Sequence, residues 1–337
     1  MIKYILKRIM LMGVVLFAVL LIIFFITRTL PGDPVAMWVG EHPTQEQLEY
    51  GRKILGFDQP ITVQFLKYFK GLLHGDLGMS LRTQQPVTME LANRFAATFE
   101  LVTIALILAI LLGYPMGLYA AYRSNSLADK SIRITGYMGI AMPIFWLGML
   151  LQLIFFGVLG WLPLQGRVTG YLFAEANLPV NSGLFILDSL ISGNGELIID
   201  ILSHIFLPAI TLAFAVIGIV IRVSRSAMLE SMLEPHFTTF LTYGFTPFQI
   251  LKNLMYKNTL IPTVTVIGMS YGLLLGGTFL VESIFDWPGL GQFGVLSILT
   301  NDFPSIIGVT LIYAGTYIFL NFVIDILYFF LDPRVRL

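Results

Sequence analysis

The chain has 337 residues, of which 56% are hydrophobic and only 12% charged, and its mean hydropathy is +0.82. That is more apolar side chain than a soluble domain of this length buries, so the composition predicts an integral membrane protein. Net charge is zero, which excludes the surplus of Lys and Arg that nucleic-acid binding needs, and the lack of cysteine excludes disulfides and thiolate metal sites.

Apolar runs near the roughly 20 residues that cross a bilayer fall at 9–28, 98–121, 133–158, 203–222, 259–281 and 305–330. They predict an all-α, polytopic membrane protein with six transmembrane helices. The first run follows Lys3, Lys7 and Arg8. It is longer than a signal-peptide core and no small-residue cleavage site follows, so residues 1–30 are expected to form an N-terminal cytosolic segment and a retained first span. Residues 31–97 read as a structured extracytoplasmic loop. Pro31-Gly32-Asp33-Pro34 is a turn, Thr44 with Gln47 makes a capping box, and Phe65, Leu66, Phe69, Leu72 and Leu73 share one face at helical spacing. Short helices that pack on the spans or meet an external partner fit that pattern. Residues 98–337 form the transmembrane core.

Charge in the short loops sets the orientation. Lys3, Lys7, Arg8, Arg123, Lys130, Arg133, Arg222, Arg225, Lys252, Lys257, Arg334 and Arg336 lie on one side. The other side has Arg167 in the loop 159–202 and no basic residue in 282–304, while Glu175, Asp188, Glu196, Asp200, Glu282, Asp286 and Asp302 collect there. The basic residues of the long loop 31–97 fall outside the positive-inside rule, so both termini are expected in the cytosol.

The segment from Arg222 to Pro262 lies on that same side and has a specific local grammar. Glu234-Pro235 opens a helix, Gly244 can end it in the left-handed conformation, and Thr246-Pro247-Phe248-Gln249 starts another with a capping box. An ordered helix-turn-helix between two spans suggests a docking surface.

Enzyme motifs fail on context. Gly289-Leu290-Gly291-Gln292-Phe293-Gly294 fits GxGxxG without a preceding strand, and reads as a turn. Gly268-Met269-Ser270-Tyr271-Gly272 fits GxSxG inside an apolar span, where Gly268, Gly272 and Gly276 read instead as a small-residue ridge for helix packing or for lining a path. His42, His74, His204 and His236 are dispersed, and no lysine follows a glycine, so neither a paired-histidine metal site nor a GxxxxGK[ST] phosphate loop is present. Glu100, His204, Glu282, Asn321 and Asp325 are the polar groups near span ends and are candidates for contact with solute or for gating.

Several stretches, in order, carry a family resemblance: Leu30-Pro31-Gly32-Asp33-Pro34, Leu55-Gly56-Phe57-Asp58-Gln59-Pro60 and His74-Gly75-Asp76-Leu77-Gly78, followed by Met142-Pro143-Ile144-Phe145-Trp146-Leu147-Gly148, Gly160-Trp161-Leu162-Pro163, Phe285-Asp286-Trp287-Pro288-Gly289-Leu290-Gly291 and Asp332-Pro333-Arg334. The chain resembles the first-placed permease subunit of the dipeptide and oligopeptide group of ATP-binding-cassette importers. The resemblance implies a MetI-like ABC permease fold and a coupling loop at 222–257 that enters a groove on a cytosolic ATPase, with Glu234, His236, Phe237, Thr239, Phe240, Tyr243, Gly244, Ile261 and Pro262 at the contact. Thr239 and Phe240 stand where the family has two small residues, and Leu241 and Tyr243 stand where it commonly has basic ones, so a wider groove is expected.

The same resemblance implies half of a pathway lined by Gly268, Met269, Gly272, Gly276 and Glu282. The chain would carry no enzymatic activity, with ATP and Mg held by two ATPase subunits. A second homologous permease, an extracytoplasmic binding protein and the lipid bilayer of a prokaryotic inner membrane are the other partners. Dipeptides or oligopeptides are the expected solutes; sugars or metal chelates, and a secondary transporter, are the alternatives.

Overall fold

The computed structural model describes residues 2–29, 34–40, 43–175, 182–250 and 256–331; among them the regular structure is helical, apart from an isolated antiparallel bridge between Met79 and Pro86. In chain order the helices begin with α1 (Ile2–Thr29), α2 (Pro34–Val39), α3 (Gln45–Leu55), α4 (Ile61–Leu73), α5 (Val87–Tyr122), α6 (Leu127–Ala141) and α7 (Ile144–Leu151), which runs on as a π-helical stretch Gln152–Val158. They continue with α8 (Gly170–Glu175), α9 (Phe185–Ser192), α10 (Gly195–Leu233), α11 (Pro235–Thr242), α12 (Pro247–Ile250), α13 (Tyr256–Ile284), α14 (Leu290–Leu299) and α15 (Phe303–Leu331).

Among the described residues, α1, α5, α10, α13 and α15 are unbroken helices long and apolar enough to cross a bilayer. The third expected span is not one helix. It breaks between α6 and α7, whose axes differ by 109°. The cause is local: Pro143 has no N–H to donate and drives Met142 out of the helical region, to φ −79° and ψ 129°. The fourth span is longer than its apolar run. At 39 residues α10 is about 58 Å long, against about 30 Å of hydrocarbon, so Arg222 lies within the helix rather than at its end.

Contacts divide the chain into two compact units. The first comprises Met1–Thr98, Ser182–Leu184 and Pro288–Phe319. Here α4 lies against α1 and α15, with Phe65, Tyr68, Phe69 and Leu72 packed on Leu20, Phe24 and Ile307. Leu66 and Leu73, expected on the same face, are instead 63% and 69% exposed. One residue is about 100° of helix, so a stripe that seats 65, 69 and 72 turns 66 and 73 off it. The capping box of α3 forms as expected: the Thr44 amide donates to Gln47 Oε1 at 2.8 Å and the Gln47 amide to Thr44 Oγ1 at 3.3 Å. Asp302 opens α15 and accepts from the Leu81 amide at 3.0 Å and from Ser305 Oγ at 2.8 Å. The GxGxxG stretch, expected to be a turn, mostly forms α14: Gly289 is the N-cap and Gly291 and Gly294 are buried in the helix.

The second unit comprises Phe99–Asn181, Phe185–Trp287 and Leu320–Leu337, and α10 is its axis. Leu207, Leu212, Val216, Val220 and Ile221 on α10 are all buried. Glycines let the neighbouring helices approach closely. A Cβ on Gly117 of α5 would lie 2.8 Å from the Ile221 carbonyl oxygen, one on Gly139 of α6 would lie 2.4 Å from that of Phe214, and one on Gly218 would lie 2.2 Å from that of Gly136. These are the small-residue crossings that membrane helices use for van der Waals packing.

Candidate functional site

The segment between α10 and α13 is built as its local sequence dictates. Glu234 is extended (φ −69°, ψ 143°) and Pro235 takes the first helical position of α11, where its missing N–H costs nothing. Glu234 makes no side-chain cap; its carboxylate sits 3.6 Å from His236 Nδ1, both side chains well exposed. At the other end the Phe245 amide reaches back to the Phe240 carbonyl at 3.2 Å and the Gly244 amide to that of Leu241 at 3.0 Å. That double bond is the Schellman closure, and it requires the left-handed φ of +86° that Gly244 adopts. The Thr246–Gln249 capping box follows, with 2.9 and 3.3 Å reciprocal bonds.

One face of this motif is fixed to the transmembrane helices. Phe237 and Ile250 bury against Ala121 at the end of α5 and Met228 on α10, with Leu118, Leu229, Met232 and Phe240 around them. The other face is free: Thr238, Thr239, Leu241, Thr242 and Tyr243 are exposed, Tyr243 by 76%. Thr239 and Thr242 donate their hydroxyls to the carbonyls of Pro235 and Thr239 within the helix.

The structure corrects the expectation for Phe240. Its ring is half-buried in the inner cluster and meets Phe245 edge-on at 5.8 Å and 88°. Phe240 and Phe245 are the pair of positions that make the hydrophobic contact of a Schellman motif, so the aromatic bulk is taken up inside the loop rather than presented to a groove. Pro262 also differs from expectation. It lies inside α13, which begins at Tyr256, and the side chain of Ile261 lies outside the described residues, as does Lys252.

On α13 the predicted pathway residues separate. Met269, Leu273, Gly276, Leu280 and Ser283 form an exposed stripe, with Met269 63% exposed and nothing within 4 Å of a Cβ on Gly276. Gly272 is half-buried beside it. Gly268 is not part of that stripe: a Cβ there would lie 2.1 Å from Ile324 Cδ1. Each four-residue step advances a helix by about 40° beyond a full turn, so a ridge at 268, 272 and 276 rotates off a single face. Glu282, expected along the pathway, is fully buried within the chain.

A second polar constellation, which spacing could not reveal, joins the loop after α7 to α5. Glu100 on α5 pairs with Arg167, both 6% exposed, and accepts from the Ile186 amide at 2.7 Å. The Arg167 guanidinium lies 3.7 Å from the centroid of Phe185 and 5.6 Å from that of Trp287. Burial holds the guanidinium below its usual range, against the opposing effects of Glu100 and Asp188. Nearby, the Gly166 amide bonds the Phe285 carbonyl at 2.9 Å, and Gln152 Nε2 bonds those of Leu164 and Ile284 at 2.9 and 3.1 Å. His204 instead pairs with Asp200 at 3.6 Å. Among the described residues no group of three or more His, Asp or Glu side chains gathers as a metal site would.

Sequence reasoning also passed over the Gly113-xxx-Gly117 and Gly136/Gly218 crossings; small residues four apart inside an apolar run were the available signal for the first. Asp129, whose partner no motif or spacing marks in the sequence, is fully buried and takes Arg225 in a two-pronged bond, Nε to Oδ1 at 2.7 Å and Nη2 to Oδ2 at 2.9 Å, tying α6 to α10.

Residues 113–337 match the family described as binding-protein-dependent transport system inner membrane component, and residues 1–102 match the N-terminal part described for such membrane components. The chain is 41% identical over 317 residues to the probable D,D-dipeptide transport system permease protein DdpB of Escherichia coli K12, covering 94% of this chain and 92% of that protein. It is 35% identical to the dipeptide transport system permease protein DppB of the same organism, over 100% of this chain and 99% of the relative. To the glutathione transport system permease protein GsiC of Salmonella paratyphi A it is 33% identical, again over 100% and 99%. Among solved structures, the inward-facing MetNI methionine ABC transporter aligns with TM-score 0.50 and 15% identity, covering 72% of this chain and 97% of that one, a likeness of fold alone. Multiple apolar spans, the shared permease fold and full-length similarity agree: the chain belongs to the family of inner membrane permease components of binding-protein-dependent transport systems.

Proposed function

We propose that this chain is one of two permease halves of an ATP-binding-cassette importer for dipeptides or short oligopeptides. The observation that carries the reading is the loop 234–250: a motif fixed at its turn by the Schellman closure at Gly244 and the Thr246–Gln249 capping box, anchored by Phe237 to α5 and α10, with its opposite face exposed. Such a part can transmit motion between a cytosolic subunit and the spans, because rigid capping leaves the loop little freedom to absorb displacement locally. Two cytosolic ATPase subunits hold ATP and Mg and receive the exposed face of α11, chiefly Thr239 and Tyr243. A second homologous permease covers the stripe Met269, Leu273, Gly276 and Leu280 and completes the pathway, along which Gly272 and Gly276 leave room. An external binding protein delivers the peptide. Both termini face the cytosol, in keeping with the distribution of Lys and Arg.

The peptide substrate is supported by the names that the full-length relatives carry, dipeptide and D,D-dipeptide among them. The test is co-purification followed by reconstitution: the chain should assemble with two P-loop ATPases and a second permease, and proteoliposomes should take up labelled dipeptide only with ATP and binding protein. Uptake driven by a proton or sodium gradient without ATP refutes the reading.

A further inference from the structure

Midway along α6, its crossing with α10 leaves a cleft of about 200 Å³. Its floor is Gly136 and Gly218; a Cβ on Gly218 would lie 2.2 Å from the Gly136 carbonyl oxygen, so that position admits no side chain. Its walls carry Arg133, Arg222 and Arg225, with Tyr137 and Ser226 adding hydroxyls. Of the three guanidinium groups Arg225 is bonded directly to Asp129, whose charge Arg133 also feels at longer range. Arg133 and Arg222 are exposed and form no ion pair among the described residues.

Two exposed arginines over a glycine floor match an anion with several oxygens, since the planar guanidinium fork recognises phosphate in a two-pronged geometry. The surroundings narrow the source. Arg133 and Arg222 stand at the ends of the apolar runs 133–158 and 203–222, where hydrocarbon gives way to headgroups. Beyond Arg133 and Tyr137 the same face of α6 continues as an apolar wall at Ile140, 44% exposed, while Ile134 and Met138, 58% and 48% exposed, lie round the helix from it. A soluble phosphate has no use for that wall, but an acyl chain below a phosphate does. Basic pockets between spans on the cytosolic side bind anionic lipid headgroups for this reason. We infer that the cleft between α6 and α10 binds the phosphate of an anionic phospholipid, with Arg133 and Arg222 as the phosphate ligands and Arg225, held by Asp129, as the fixed wall. The inference uses the proposed orientation but not the transported solute.

The test uses the purified importer complex, stripped of lipid and returned to nanodiscs of phosphatidylcholine with a graded fraction of phosphatidylglycerol; retained lipid is counted by native mass spectrometry. Wild-type protein should retain phosphatidylglycerol in preference to phosphatidylcholine. Arg133→Gln with Arg222→Gln should weaken that retention roughly thirty-fold, the loss of two basic residues beside an anionic surface, whereas Arg133→Lys with Arg222→Lys should keep most of it and Arg123→Gln all of it. Should the double glutamine protein fail to fold, the wild-type preference must fall steeply with added salt. Equal retention of the two lipids, retention unchanged in the double glutamine protein, or salt-independent preference overturns the inference. Displacement by inorganic phosphate, with no preference among lipids, assigns the cleft to a free anion and overturns the lipid. ATP-driven peptide uptake, measured on the same preparations, reports separately on the proposed function.

Discussion

Replacing Phe237 by alanine separates the two faces of the loop. The ring is 8% exposed and touches Ala121, Met228 and Ile250, so its loss removes the centre of the cluster that holds α11 to α5 and α10. Truncating a buried phenylalanine costs about 3–5 kcal/mol; this cluster is small and near the surface, which favours the lower end. At about 3 kcal/mol the ratio of docked to undocked loop falls by roughly a hundredfold. The ATPase subunits can still bind Thr239 and Tyr243, but their closure is no longer passed to the spans. In proteoliposomes with the full complex, uptake of labelled dipeptide should fall by about an order of magnitude or more while basal ATP hydrolysis persists. Tyr243→Ala is the contrast: at 76% exposure its loss leaves the chain as stable as before and weakens ATPase binding. If Phe237→Ala incorporates normally and preserves both uptake and its ratio to hydrolysis, the anchored-loop argument is wrong.

Gly244→Ala must hold a left-handed conformation that costs a non-glycine residue about 1–2 kcal/mol, so α11 should fray and protease should cut the loop faster, with no change at the apolar spans. Arg167→Met leaves Glu100 buried without its cation, a loss of about 3–5 kcal/mol that should lower the thermal inactivation midpoint in detergent; adding Glu100→Gln should recover much of it, and additive losses in the double variant refute a direct pair. Gly268→Leu and Gly276→Leu should differ sharply, since the first meets Ile324 and the second meets open space. Gly268→Leu should reduce the folded yield, whereas Gly276→Leu should fold and assemble but block uptake. Unchanged transport in Gly276→Leu, at normal expression, removes it from the pathway.

Membrane class, the number of apolar runs, the helix start at Glu234-Pro235 and the caps at Thr44, Gly244 and Thr246 were legible in the sequence because each depends on residues within a few positions of one another. Mean hydropathy needs no fold, and a Schellman closure needs only the six residues from Phe240 to Phe245. The pre-proline break at Met142 was equally local, yet the hydropathy of 133–158 hid it, since a window average carries no backbone angle. Tertiary structure alone decided which side chains look inward. Phe240 turned from a supposed contact into an internal one because Phe245 and the ends of α5 and α10 were there to receive it. It brought Glu100 to Arg167 and Asp129 to Arg225 across long stretches of chain, and it split the glycines of α13 between packing and open space. Hydropathy fixes what must leave water, but a buried ion pair or a close helix crossing depends on the rotation of one helix against another, which no single run of residues contains.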